Sequence, residues 1–475
     1  MRSHKTGALM GLLFLSLGLS GQSNLMLYNF DAVPQSLHTN PAMPQQTKVW
    51  VGLPVVSGVS LFYHNTGFSA ADIFAEGTDI NANLAEVSSQ LDDNDHLALR
   101  QSAELLGVGF KAGKGYVSFG ARQIFDFRMD LHKPFFDLLF GPTGNLTNFN
   151  MAGFSQETMI RHQAYLGYQY KLGPKLTIGA RAKYIFGVGH SYVERSALSV
   201  RQESPFQPAI IETDILVKTS GNTDPNLDNI TEALLTDNNG LAVDLGFNYE
   251  LSDNWQVSAS FLDWGSVEWT QDNRQYESKG RYEFNGVDID FSEDDFQDNY
   301  EAALDSLEQE LNIKDTAGLA YDRQLARQIH AGVNWNINKK HSLGALYHAR
   351  LWEGQTYHDL GLMYRAKLAR WFQLTAGYSL INGTQHNVGL GFDLRLGPVQ
   401  LYALTDNLLG ALQYQEAYTT SLNVGLNLAF YGPKDQEEDE AVSPEEKAKT
   451  PQPVPADAPS EGEEKGKKTG RLSAR

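Results

Sequence analysis

The chain has no cysteine. No disulfide can brace it, no thiolate can hold a metal or attack a substrate, and no lipid can be attached to an N-terminal cysteine. Beyond its first residues it also lacks any run approaching the roughly 20 apolar residues that a spanning helix requires. That excludes the inner membrane as a final address. Basic charge is scarce: 38 Lys and Arg against 57 Asp and Glu give a formal net charge of −19, which argues against nucleic acid as a partner. Catalytic signatures are missing too, with no GxSxG, HExxH or P-loop sequence. The chain is expected not to be an enzyme and to carry no cofactor. The cluster Asp92, Asp93, Asn94 and Asp95 lacks the ordered spacing and glycine of a calcium loop, so it reads as a solvated turn and no metal site is expected.

What is present is alternation. In LAVDLGFNYE the large apolar residues Leu241, Val243, Leu245, Phe247 and Tyr249 are separated by Ala242, Asp244, Gly246, Asn248 and Glu250. A soluble sheet would turn the apolar face to a core, and an outer-membrane barrel would turn it to lipid. About fourteen such runs recur, near 47–63, 103–111, 115–129, 160–171, 175–190, 240–250, 255–264, 325–337, 341–351, 357–367, 371–381, 386–396, 398–407 and 418–430. Most are about ten residues long, enough for a tilted strand to cross a bilayer.

The connections decide between the two readings. Every other link is tight (KAGKG, KLGPK, ELSDNW, NINKKH, KLARW, RLGP), while long links fall near 64–102, 130–159, 191–239 and 265–324. Short turns on one rim and long loops on the other are the asymmetry of an outer-membrane barrel. Tyr249, Trp255, Trp335 and Trp371 sit beside tight turns, where an aromatic girdle would lie. The fold class is therefore all-β: a transmembrane antiparallel barrel of about fourteen strands over 47–431, with long outer loops and both termini periplasmic. A further strand pair within 191–239 would make sixteen.

The ends are of another kind. Residues 1–21 combine a basic start, a short apolar stretch and a small-residue exit, the layout of a secretory signal peptide. Residues 432–475 are rich in Pro, Glu and Lys with almost no large apolar residue, and read as a disordered periplasmic tail. Within the loops, Asn285-Gly286 marks a hairpin, and Phe296, Tyr300, Leu304, Leu307 and Leu311 form one stripe of a helix starting near Ser292, its opposite face acidic. HKPFFDLLFGPTGN clusters Phe135, Phe136, Leu138, Leu139 and Phe140 beyond the third strand. Exposed, that cluster would dock on lipid, protein or an apolar ligand; otherwise it packs back onto the barrel mouth.

Three motifs carry a resemblance. Asn40-Pro41-Ala42 before the first strand is similar to the N-terminal signature of the FadL-type barrel superfamily. Leu262-Asp263-Trp264-Gly265 with Trp269, and Leu404-Thr405-Asp406-Asn407, resemble two of its strand-end motifs. The wording looks closest to a Bacteroidetes outer-membrane family of unknown function (DUF5723-like), and the superfamily also includes type IX secretion barrels. The resemblance implies a plug: residues 22–46, with Leu25 to Gln46 entering the lumen. It implies transport of a small apolar molecule, received at an outer apolar site such as residues 135–140. The alternative is a non-transporting scaffold in surface secretion, gliding or envelope assembly, working through its loops and tail on a periplasmic or surface protein. Inward positions Asp244, His330, His348, Arg350, Asp359, Arg365, Asp393 and Arg395 are expected to form a paired lumenal network rather than a catalytic one.

Overall fold

The computed structural model describes residues 25–432 apart from 75–78, 93, 141–148, 151, 202–208, 222–235, 285–312, 353 and 383. The signal peptide, Asp93, the Asn285-Gly286 hairpin, the acidic helix and the tail beyond Gly432 lie outside the described residues.

A short helix, α1 (Leu25–Tyr28), and a 3-10 turn (Pro34–His38) come first. Then follow β1 (Thr47–Gly52), β2 (Val59–Asn65), α2 (Ala70–Ile73), α3 (Ile80–Gln90), β3 (His96–Ala112), β4 (Gly115–Asp130) and α4 (Lys133–Phe140). The chain continues with β5 (Phe149–Asn150), β6 (Gln156–Leu172), β7 (Leu176–Arg201), β8 (Ala209–Gly221), β9 (Asn239–Glu250), β10 (Trp255–Trp269), β11 (Arg274–Phe284) and β12 (Lys314–Ala317). It ends with β13 (Tyr321–Gln324), β14 (Arg327–Asn336), β15 (His341–Trp352), β16 (Gln355–Ala369), β17 (Phe372–Ile381), β18 (Thr384–Leu396), β19 (Val399–Thr405), α5 (Leu408–Leu412) and β20 (Thr419–Tyr431).

β1 with β2, and β13 with β14, are the halves of two interrupted staves. β5, β8, β11 and β12 pair outside the ring. The remaining strands close an antiparallel barrel of 14 staves, β20 returning to β1 and β2. The segment 191–239 does hold a further strand, but it does not widen the barrel. Residues beyond Gly189 of β7 pair with β8, β8 pairs with β11, and β11 with β12, as a sheet standing above the long-loop rim.

The sense of the alternation follows from burial. On β9, Leu245 and Phe247 are 44% and 41% exposed, whereas Asp244 is 0% and Asn248 3% exposed. An exposed apolar face around a closed ring is a lipid-facing belt, and a closed ring is one of the two forms in which a bilayer leaves no backbone group unpaired. Among the described residues no helix is long and apolar enough to cross a membrane. Tight turns share one rim, and three of them use glycine at positive φ (Gly113, Gly173 and Gly397). Trp255 and Trp335 stack beside that rim, centroids 5.8 Å apart at 11°.

Leu362 on β16, 63% exposed and in mid-strand, is a sensitive point of the belt. Leu362→Arg is expected to lower barrel stability by about 2–4 kcal/mol, read as a shifted denaturant midpoint in reconstituted bilayers.

Candidate functional site

A ring of this size would enclose an open pore, yet the lumen is filled. Leu25 through Tyr28, Phe30, Val33 and Asn40 are at most 4% exposed, and each large apolar one contributes roughly 1.5–3 kcal/mol by burial. Polar contacts fix the segment to the wall along its length. The Met26 amide donates to Asp406 Oδ1 (2.8 Å) and the Tyr28 hydroxyl to Ser258 Oγ (3.0 Å). Gln400 Nε2 donates to the Ala32 carbonyl (2.8 Å), and Ser260 Oγ to that of Thr39 (2.6 Å).

The Asn40-Pro41-Ala42 motif has a specific seat. Gly179 of β7 lies directly opposite Gly246 of β9. A Cβ on Gly179 would overlap the Pro41 carbonyl, and one on Gly246 the Asn40 side chain. The glycine pair is a notch in the wall. In it, Asn40 Oδ1 accepts from the Ala42 amide (2.9 Å), while Nδ2 donates to the Tyr28 hydroxyl (3.2 Å) and the Phe247 carbonyl (3.3 Å).

The inward residues expected to form one network fall into separate clusters. Near the tight-turn rim, Arg365 pairs with Asp31, Arg395 donates to Asp393 (2.7 Å), and Gln400 joins Asp393 (2.7 Å). At mid-height Asp244 meets Lys183 (2.6 Å), which also reaches Asp263 (2.7 Å). Beside it, Glu104 accepts from the Tyr165 hydroxyl (2.5 Å) and meets His38 (2.8 Å) and Arg122 (3.7 Å). Higher, Asp126 takes Arg161 (2.6 Å), Arg350 (2.9 Å) and Arg100 (3.4 Å), and His348 pairs with Asp359 (2.8 Å). His330 stacks on Tyr28 and lies 4.6 Å, ring to ring, from His348. The hydroxyl that meets His330 among the described residues is Ser260 Oγ (3.1 Å), which donates to the Thr39 carbonyl. Glu250 is exposed at the rim with Lys171.

The wall itself is interrupted. From Gly52 to Val59 the chain advances seven residues while β20 advances from Asn427 to Val424 and β3 from Gly107 to Ala103. The surplus forms an outward bulge, with Val55 at φ 67° and both Val55 and Val56 52% exposed. From inside, Gln35 Nε2 (2.9 Å) and the Tyr402 hydroxyl (3.2 Å) donate to the Ser57 carbonyl. The lumenal segment therefore holds the bulge directly. The lumen holds cavities of about 30 Å³ beside Glu104 and about 50 Å³ above it, and a vestibule of about 610 Å³ beside Asp31, Gln46, Arg365 and Arg395 at the tight-turn rim.

The aromatic cluster beyond the third strand is helix α4. Phe136 is 7% exposed, in T-shaped contact with Phe68 (6.1 Å), and Phe135 stacks on Phe154 (5.2 Å). Lys133 and Asp137 tie α4 to Ser88 of α3. Both described rings are thus packed inward rather than offered as a patch; the side chains of Leu138, Leu139 and Phe140 lie outside the described residues.

Sequence reasoning missed Glu104, Asp126, Arg161 and Asp263 as lumenal. Register shifts hide two of them. β3 slips between Glu104 and Leu106, and β10 between Phe261 and Trp264, where Asp263 at φ 59° turns its carboxylate inward. Asp126 lies on a regular stretch of β4 and Arg161 beside a slip of β6 against β7, and for both the available signal was a charge at an inward parity. The two strand-end motifs also acquire physical roles. Gly265 lets the bulged strand approach the Leu241 carbonyl, Asp406 anchors Met26, and Asn407 Oδ1 caps α5 by accepting from the Gly410 amide (3.1 Å).

A family model described as a family of unknown function, DUF5723, matches residues 41–406, from within the Asn-Pro-Ala motif to Asp406. The chain belongs to that family. No curated protein matches the sequence. Among solved structures, the DUF5723 chain is similar to the toluene transporter TbuX of Ralstonia pickettii, with 10% identity, a TM-score of 0.41, and 88% of this chain and 100% of that one covered. A FadL homologue of Pseudomonas aeruginosa gives 10% identity and a TM-score of 0.41 over 87% and 96% of the two chains. The translocator domain of the autotransporter NalP from Neisseria meningitidis gives 11% and 0.32 over 90% and 98%.

Filling the notch should unseat the segment without opening the ring. Gly179→Leu with Gly246→Leu is expected to leave a heat-shiftable barrel on gels while making residues 25–46 susceptible to protease. Glu104→Leu, which strands His38 and Arg122, is expected to cost about 3–5 kcal/mol in chemical denaturation.

Proposed function

We propose that this barrel is a transport-class protein of the outer membrane, tight turns toward the periplasm, in which residues 25–46 act as a plug that shifts to admit a solute. The observation that carries the reading is the bulge at 53–58, clasped from inside by Gln35. A barrel built only as a scaffold has no need of a wall defect whose lumenal face is held by the segment that fills the pore. Moving the plug removes a hydrogen bond from Ser57 and loosens the wall where Pro54, Val55 and Val56 meet lipid. An apolar solute would leave sideways there, into the membrane. The lumen itself is polar and closed, so passage requires that shift, and entry past α4 requires the packed rings of Phe135 and Phe136 to lift.

The chain's lack of cysteine makes the test clean. An ideal Cβ on Gly246 stands 3.1 Å from Asn40 Cγ, within reach of a disulfide. Asn40→Cys with Gly246→Cys should therefore lock the plug when oxidised and free it when reduced. Toluene uptake by cells carrying the barrel is expected to fall to background in the oxidised variant and return with reductant. Equal uptake in both states would rule out plug movement. Uptake no faster than barrel-free cells in every state would replace transport with the scaffold reading.

A further inference from the structure

Above the plug, the cavity of about 50 Å³ is walled mainly by apolar atoms, Phe62, Trp352 and Ile381 among them. Set into that wall are His64, His348, Arg128, Arg350 and Tyr357. Four of these polar side chains are anchored from behind. His64 Nδ1 lies 2.8 Å from Thr419 Oγ1, and His348 Nδ1 2.8 Å from Asp359 Oδ2. Arg128 pairs with Asp130 (2.5 Å), and Arg350 donates to Asp126 (2.9 Å). The guanidiniums of Arg128 and Arg350 lie over the rings of Tyr357 (4.9 Å) and Trp352 (4.7 Å), and the Tyr357 hydroxyl faces Arg128. Nε2 of both imidazoles and Nε of both guanidiniums are buried without a hydrogen-bond partner among the described residues. His64, His348 and Arg128 are themselves at most 7% exposed.

Charge points the same way. In this layer the guanidiniums of Arg100, Arg128, Arg161 and Arg350 face the carboxylates of Asp126, Asp130 and Asp359. Four cations meet three anions, and the third anion is already engaged by His348. In the layer below, Asp244 is held by Lys183 and Arg181, while Asp263 is shared between Lys183 and the field of Arg100 and Arg161. Among the described residues cations thus outnumber anions by one in this layer, and buried unmet donors carry a heavy penalty.

We propose that this cavity binds a small monovalent oxyanion, a carboxylate of acetate's size, gripped by Arg128, Arg350 and Tyr357. The volume agrees with that class: it exceeds the roughly 10–15 Å³ one water needs and falls well short of the roughly 150 Å³ cavity that holds benzene.

Isothermal titration of the full-length barrel with sodium acetate, in chloride-free buffer and a zwitterionic detergent, tests it. One saturable site is expected. Arg128→Gln should weaken it about tenfold or more. Asp359→Asn, which removes a competing negative charge, should tighten it severalfold, a direction that a damaged fold does not produce. Hexanoate should bind more weakly than acetate because its chain has no room. No saturable acetate binding, or an unchanged affinity in Arg128→Gln with the barrel intact on gels, overturns the proposal. Tighter binding of hexanoate overturns it as well, since the cavity would then be the head-group end of a longer site.

Discussion

Every inward polar side chain of this barrel must find its partner inside, because lipid surrounds the wall and the lumen is too full for bulk water. That constraint organises the molecule. Fourteen staves bring arginines, lysines and carboxylates to a common interior, and an unfilled interior would leave those side chains dependent on solvent. Residues 25–46 supply the missing groups: Asp31 to Arg365, the Ala32 carbonyl to Gln400, His38 to Glu104. The plug is thus as much a part of the barrel's polar satisfaction as any strand.

The barrel was legible because its outer face obeys a simple period. Leu241 through Tyr249 alternate without a break, and the link lengths alternate in step. A count of about fourteen, with sixteen left open by the 191–239 segment, and the inward parity of Asp244, His330, His348 and Asp359 followed from that period. Three irregularities were not legible. The slips at Glu104–Leu106 and Phe261–Trp264 each reverse parity locally, so period-2 reasoning assigned neighbouring side chains to the wrong face or to none, while the surplus at 53–58 keeps the parity of Trp50 and Phe62 and so left no trace in the pattern. The partners of the inward charges were hidden for a different reason. Which of two facing strands supplies a counter-charge depends on barrel stagger, and no local pattern records it.

The fate of the Phe135–Phe136 stretch shows how a composition signal divides. A run of aromatics in a loop marks either a docking patch or a small core, and only the partners distinguish them. Here Phe68 and Phe154, distant in sequence, complete the core. Asn40-Pro41-Ala42 divides the other way. A turn before a strand would explain it locally, yet its shape is matched by two glycines more than a hundred residues downstream.

The ring is sealed by β20 pairing with β1, so its first and last strands meet across about 380 residues of chain. The plug is joined directly to β1. A segment tethered there and buried from Leu25 to Asn40 stays beside the closing seam throughout assembly, within reach of the notch of β7 and β9. Pairings so distant in sequence form slowly, and the seam that forms last is the one that carries the plug.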